Sequence, residues 1–501
     1  MPHRYAMSLL DQILIALFLI VTLVIGLRLK SKNTTHADYL LGGRALTLPA
    51  FVATTVSTWY GGILGVGEYG WTYGISNWLV FGVPYYLGAL LFALILSKRA
   101  RNGESLTLPH RLGEWYGPAV GRLAAALVFL TSLPASYMLI MGTLTGISFG
   151  LSQLTGIVLT AIFIVAYLWR GGFSAITKTD VFQCVMMFGG FILLCAFLAT
   201  NYGTAPLATV PETHWSPTGG QPVTEILVWY VIALSTLAEP NFFQRAFAAK
   251  TPEIAKNGML ISIACWIGFD AMTTICALYA RALLPELQDP LYAFPELAMT
   301  VLPTGLLGIF FVGMFATVLS SLDSNLFTVA TTFGHDFFSF STKKAQNSLK
   351  NTQKTIDDND TSKNIDEKSE QISSKNCAIS DEKITKKRTQ LGLLISASLA
   401  VFIALLSKSV VEIWKVFGSV SAAALLIPIL STYYPKLRMT RRAVFVLMAT
   451  STVTTLFWFG AKKILGDYPL DLRPLFAGAI IGIIVFIIDM LKIHVLSQKS
   501  N

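Results

Sequence analysis

Five polar side chains stand close together inside one apolar run. Residues 305–329 read GLLGIFFVGMFATVLSSLDSNLFTV, interrupted by Thr317, Ser320, Ser321, Asp323 and Ser324. Spacings of three and four residues put Thr317, Ser320, Ser321 and Ser324 near one face of a helix. A row of hydroxyls with backbone carbonyls beside it supplies oxygen ligands, which small hard cations prefer. Hydroxyls in membrane helices have a second use, bonding back to their own backbone or joining neighbouring helices. Asp323 at membrane depth needs a partner or water. The row reads as a cation site or as polar glue, and the rest of the chain must decide between them.

The elements that position this row are membrane helices. The chain has 501 residues, 53% hydrophobic and only 13% charged, with a mean hydropathy of +0.60. Soluble domains carry about 25% charged residues. Apolar runs near the twenty-residue length of a membrane helix recur at 9–29, 46–69, 77–96, 123–149, 154–169, 181–200, 225–243, 258–279, 305–329, 391–406, 413–433, 443–461 and 475–491. An all-α polytopic protein of about thirteen transmembrane helices is expected, because a barrel would show short alternating segments instead. The net charge of +10 does not indicate a nucleic-acid partner. Arg28, Lys30, Lys32, Arg99, Lys250 and Lys436 lie in short loops on one side of the spans, the positive-inside pattern. It predicts an outside amino terminus and a cytoplasmic carboxyl terminus, in a bacterial inner membrane; Lys462 and Lys463 run against it.

The first run has no small-residue cleavage site after it and reads as a retained span rather than a signal peptide. Cys184, Cys195, Cys265, Cys276 and Cys377 contain no CxxC pair, so neither a zinc site nor a disulfide framework is indicated. Residues 201–222, rich in Pro, Thr and Gly and free of Lys and Arg, read as an outside loop. Residues 341–390 are polar and poor in large apolar side chains, so disorder in the cytoplasm is expected there, as a dispensable insertion or a regulatory element. No HExxH or GxSxG pattern occurs, and an enzyme is not expected.

Two spans carry signs of interruption. The second, FVATTVSTWYGGILGVGEYGWTYG, holds Gly61, Gly62, Gly65, Gly67 and Gly70. These glycines mark a break lining a cavity, or close packing, since Gly61 and Gly65 fit GxxxG. The seventh has Glu239-Pro240 inside its apolar run; the proline removes a backbone hydrogen bond and the carboxylate demands a partner. The two lie five spans apart, as two copies of a five-helix repeat require. Asp180 is placed to cap a helix start or to line an ion path. Asp270, mid-span, pairs with a buried cation or lines a water path.

Together these stretches resemble the sodium:solute symporter family, relatives of the sodium/proline, sodium/pantothenate and sodium/glucose carriers. The resemblance rests on Asp38-Tyr39-Leu40-Leu41-Gly42-Gly43-Arg44, the glycine-rich second span, GGFSAITKTDVFQ, QRAFAAK after Glu239-Pro240, and GMFATVLSSLDS. It implies a LeuT-like core of two inverted five-helix repeats with peripheral helices outside. The implied division is 1–45 first helix, 46–200 first repeat, 201–222 outer loop, 223–340 and 391–435 second repeat around the insert 341–390, and 436–501 two peripheral helices.

It also implies a sodium site between the second and ninth spans. The ligands by match are the backbone carbonyls of Thr55, Thr58 and Thr317 and the hydroxyls of Ser320 and Ser321, with Asp180 near the inward ion path. Asp323 and Ser324 are left to structural duties. The proline carriers show Gly-Gln-Pro-His where this chain has Ala238-Glu239-Pro240-Asn241, and an acidic residue at the position of Ser57, so their specificity is not carried over. Trp59, Tyr60, Gly61, Gly62 and Glu239 are the expected substrate-side residues, against the plainer reading of the aromatics as packing. The function implied is import of a small organic solute coupled to Na+ by alternating access. A proton-coupled symporter of the same fold, working through Glu239 or Asp270, and a solute-sensing receptor on a transporter scaffold are the alternatives.

Overall fold

The structure, a computed structural model, describes residues 7–28, 36–338, 366–407 and 410–499. Among them eleven helices are long and apolar enough to cross a membrane. One of these, Gln153–Asn201, is two spans joined at Gly172, whose φ of 56° and ψ of −151° break the helix. The second span adds one more, in two short pieces, Leu48–Ser57 and Ile63–Tyr73. Eleven, one for the division and one for the broken span give the expected thirteen. The sixth span starts at Phe173, before the expected 181, and Asp180 lies inside it rather than at its cap.

Both expected interruptions occur. In the second span the helix stops at Ser57 and resumes at Ile63. In the seventh, Val223–Ile232 tightens into a 3-10 turn over Ala233–Ala238 and restarts as Pro240–Ala248. Glu239 takes extended backbone angles and its side chain caps the restarted helix. Proline at the first helical position costs no hydrogen bond there, since that N–H would be an orphan anyway. Leu46, ahead of the second span, gives its N–H to Ala248 (3.0 Å) and its carbonyl accepts from Lys250 (3.0 Å), which ties the two broken spans together at one end.

The ninth span is central. Of its most apolar window 89% is buried, against 28% in the first span. Leu9, Leu10, Ile13, Leu17 and Ile20 of the first span are exposed, as lipid-facing side chains must be. Three devices fix the ninth span. Asp11 of the first span accepts the N–H of Gly305 (2.7 Å) and Gly308 (2.8 Å), capping its start from a neighbouring helix. A Cβ on Gly313 would stand 3.0 Å from the Cα of Gly190, so the sixth and ninth spans meet backbone to backbone. Tyr167 of the fifth span donates to Asp323 at 2.6 Å.

The insert departs from expectation. Composition predicts disorder across 341–390, but the helix Asp366–Leu406 runs from the insert into the tenth span. Lys, Glu and Gln form helices well, and a helix nucleated in a membrane span extends at one hydrogen bond per residue. Residues 341–365 lie outside the described residues.

Gly172 allows a direct test. A side chain there would take a backbone conformation almost reserved for glycine, with its Cβ 2.7 Å from the Tyr39 carbonyl oxygen. Gly172→Ala is expected to cost on the order of 1–3 kcal/mol, read as a lower Tm of the purified protein; an unchanged Tm would contradict the break.

Candidate functional site

The broken second span meets the ninth span at its polar row. Where a continuing helix would give the Trp59 N–H to the Thr55 carbonyl, it goes to Val56 (3.3 Å). The carbonyls at the end of the first piece thus turn toward the neighbouring helix. The Ser320 hydroxyl donates to the Ser57 carbonyl at 2.9 Å, and the Ser321 hydroxyl to the Thr58 carbonyl at 2.6 Å. The Thr317 carbonyl lies 3.1 Å from Ser320 Oγ and 3.5 Å from Ser321 Oγ. The Thr317 hydroxyl bonds back to Gly313 (2.6 Å), which leaves its carbonyl as the group facing the cluster.

Four of the five expected ligands are thus brought together. The Thr55 carbonyl, the fifth, accepts no hydrogen bond from either serine, and the buried Thr55 hydroxyl has no partner among the described residues. The Ser57 carbonyl, which sequence matching did not single out, joins the cluster instead. Its signal was the position of the break, since the carbonyls released are those of the last helical turn.

Beside this cluster lies a cation the sequence reading passed over. Arg245 of the seventh span is fully buried. Its Nη2 donates to Thr58 Oγ1 at 2.6 Å, Ser324 Oγ at 2.8 Å and Thr54 Oγ1 at 3.1 Å, and stands 3.5 Å from Asp180 Oδ2. Thr54 also hydrogen-bonds Asp180. One guanidinium therefore joins the second, sixth, seventh and ninth spans. Asp180 Oδ1 and Asp323 Oδ1 are buried without partners among the described residues. Ser324 takes part through Arg245 and Thr58, a larger role than the sequence assigned it. Arg245 was visible in QRAFAAK, but its partners come from three distant stretches.

A cavity of ≈ 210 Å³ opens beside both clusters, between the two breaks. Trp59, Tyr60, Gly62 and Glu239 line it, as expected, and so do Asn241, Asp270 and Arg245. Gly61 does not belong to the lining. A Cβ there would lie 2.4 Å from Ser321 Cβ, so this glycine lets the break close on the ninth span. The seventh span is anchored by Asn241, which donates to Asn325 Oδ1 (3.1 Å) and accepts from Thr328 (3.0 Å). Trp59 packs on Phe242 (5.1 Å between centroids), Tyr85 and Trp266 (5.4 Å each), so the aromatic wall is both packing and lining. The volume is below the roughly 300–1,000 Å³ of drug-sized pockets and suits a small solute.

The chain is similar in sequence and in fold to known proteins. The chain is 25% identical over 505 residues to the osmoregulated proline transporter OpuE of Bacillus subtilis (strain 168), covering 94% of each. It is 23% identical over 352 residues to a sodium/proline symporter of Staphylococcus aureus, covering 65% of this chain and 68% of that one. Among solved structures, a substrate-bound, outward-open Na+-coupled sialic acid symporter superimposes with a TM-score of 0.74 at 16% identity, covering 97% of both chains. Mhp1, a nucleobase-cation-symport-1 family transporter, gives 0.53 at 12% identity, covering 93% of this chain and 96% of that one. These likenesses show the fold, an inverted-repeat transporter core of the LeuT type. The description "Sodium:solute symporter family" matches residues 39–356, well over half of the sequence, and the chain belongs to that family.

Proposed function

We propose that the protein is a sodium-coupled symporter that imports a small organic solute by alternating access. Sodium is the coupling ion. The observation that carries the reading is the meeting of the Ser320 and Ser321 hydroxyls with the Ser57, Thr58 and Thr317 carbonyls at the break. These oxygens come from two spans, so an ion among them bridges the spans as no side-chain bond within one helix does. The Ser320 and Ser321 hydroxyls, with the Thr58 and Thr317 carbonyls, are the proposed ligands; the Thr55 carbonyl completes the set when the break shifts. Asp180 belongs to the inward ion path, where Arg245 now holds it.

Sodium binds first and holds the second span against the ninth. The solute then enters the cavity beside Trp59, Tyr60, Gly62 and Glu239. One helix bundle rocks against the other, and both cargoes leave on the inside. The membrane potential contributes about 2.3 kcal/mol per charge per 100 mV. The distribution of Arg and Lys supports an inside carboxyl terminus and an outside amino terminus. The names of the two relatives make L-proline the first solute to try.

Sodium should raise the Tm of the purified protein relative to potassium at equal ionic strength, because a ligand of the folded state stabilises it by mass action. Ser320→Ala and Ser321→Ala are expected to weaken that response about tenfold in sodium concentration, a loss of ~1.4 kcal/mol each. Uptake into proteoliposomes that follows a pH gradient and ignores sodium would overturn the reading in favour of proton coupling.

Arg245 yields a separate expectation. Arg245→Gln leaves Asp180 buried without its counter-charge and should cost about 3–5 kcal/mol. The double variant Arg245→Gln with Asp180→Asn should recover part of that loss, as coupled neighbours do. Thermal unfolding of the four proteins checks it; strictly additive losses would refute the pairing.

A further inference from the structure

Two carboxyl side chains reach the cavity. Glu239 and Asp270 both line it. Glu239 is explained in part as a helix cap, since its Oε1 accepts the Asn241 N–H (3.2 Å) and the Asn241 side-chain amide (2.9 Å). Both of those bonds go to one oxygen. Among the described residues no hydrogen bond reaches Glu239 Oε2, on a side chain that faces the cavity. Asp270 is met by the Tyr86 hydroxyl, a neutral donor.

Arg245 also lines the cavity, but its hydrogen bonds go elsewhere. Its Nη2 is shared among Thr54, Thr58, Ser324 and Asp180. Asp323, with an unpartnered buried oxygen, adds a second carboxylate on that side. Among the described residues no hydrogen bond runs from Arg245 to Glu239, so the guanidinium does not cover Glu239 Oε2. An unpaired carboxylate at membrane depth is costly, so a cation that comes and goes is the economical partner.

The wall next to Glu239 is aromatic. Trp59, Tyr85 and Phe242 line the cavity, with Trp59 at 5.4 Å from Tyr85 and 5.1 Å from Phe242 between ring centroids. Ring faces attract cationic nitrogen, and more strongly where water is excluded.

We propose that the cavity recognises its solute by a cationic nitrogen, seated between the Glu239 carboxylate and the aromatic faces of Trp59, Tyr85 and Phe242. The inference rests on the transport reading and narrows it to ammonium-bearing solutes. Such a nitrogen belongs either to a plain cation or to a zwitterion. For a zwitterion, the solute's own carboxylate must point away from Glu239.

The test uses the purified full chain in saturating sodium and two matched pairs of probes. Choline is paired with 3,3-dimethylbutan-1-ol, its uncharged isostere. L-Proline is paired with cyclopentanecarboxylate, which lacks the cationic nitrogen. Melting shifts and tryptophan fluorescence report binding, since Trp59 and Trp414 line the cavity. At least one charged probe should bind, and its partner should not. Choline alone would mark a plain cation as the solute, and proline alone a zwitterion.

Glu239→Gln keeps the Oε1 acceptor that caps the restarted helix, and should weaken the charged probe at least about tenfold. Trp59→Leu should weaken it as well, whereas Trp59→Phe should largely preserve it. Equal binding of an isostere, failure of both charged probes, or unchanged affinity in Glu239→Gln overturns the proposal. The sodium-dependent melting shift of the wild-type protein reports the ion site separately. A failed cation test beside an intact sodium shift therefore removes this inference and leaves the coupling ion standing.

Discussion

A backbone broken inside a membrane must find new partners for the groups it releases, because hydrocarbon offers none. The architecture follows from that constraint at Thr58–Gly62. The released carbonyls of Ser57 and Thr58 are met by Ser320 and Ser321 of the ninth span. This requires the ninth span to run close by and to be buried almost all round, as it is. It requires Gly61 to carry no side chain where Ser321 approaches. The same arrangement that satisfies the backbone is the one a small cation would replace, oxygen for oxygen. On the proposed function, polar glue and cation site are one row of hydroxyls at different moments of a cycle.

Charge imposes the next layer of order. Asp180 and Asp323 are buried with one fixed cation, Arg245, while Glu239 and Asp270 line the cavity it borders. Arg245 reaches the side chains of Thr54, Thr58, Ser324 and Asp180 from the restarted half of the seventh span. The interruption at Glu239-Pro240 is what lets that half-helix begin deep in the bundle. The two breaks are therefore complementary: one presents carbonyls, the other delivers a guanidinium beside them.

Much of this was legible from the residues. Apolar runs gave the spans, glycine and Glu-Pro gave the breaks, and the hydroxyl spacing gave the face of the ninth span that meets the break. The less legible features depend on where distant stretches meet. Arg245 looks like any basic residue at a helix end until Asp180 and Thr54 are brought to it. Asp11 looks like an acid near a membrane edge until Gly305 and Gly308 turn their N–H groups toward it. Gly61 looks interchangeable with Gly62, yet one packs on Ser321 and the other lines the cavity beside Trp414. The polar insert looked unable to hold any structure, because low hydrophobicity argues against a packed core; it does not argue against a helix continued from a span. Its side-chain chemistry forbids burial, not hydrogen bonding along its own backbone.

The short pairing of Leu46 with Ala248 and Lys250 has a mechanical meaning. It clasps the start of the second span to the end of the seventh, the two helices that are broken midway. With that end pinned, a tilt of one broken helix pulls on the other. In the proposed cycle, two cargoes held at separate points would then share one lever.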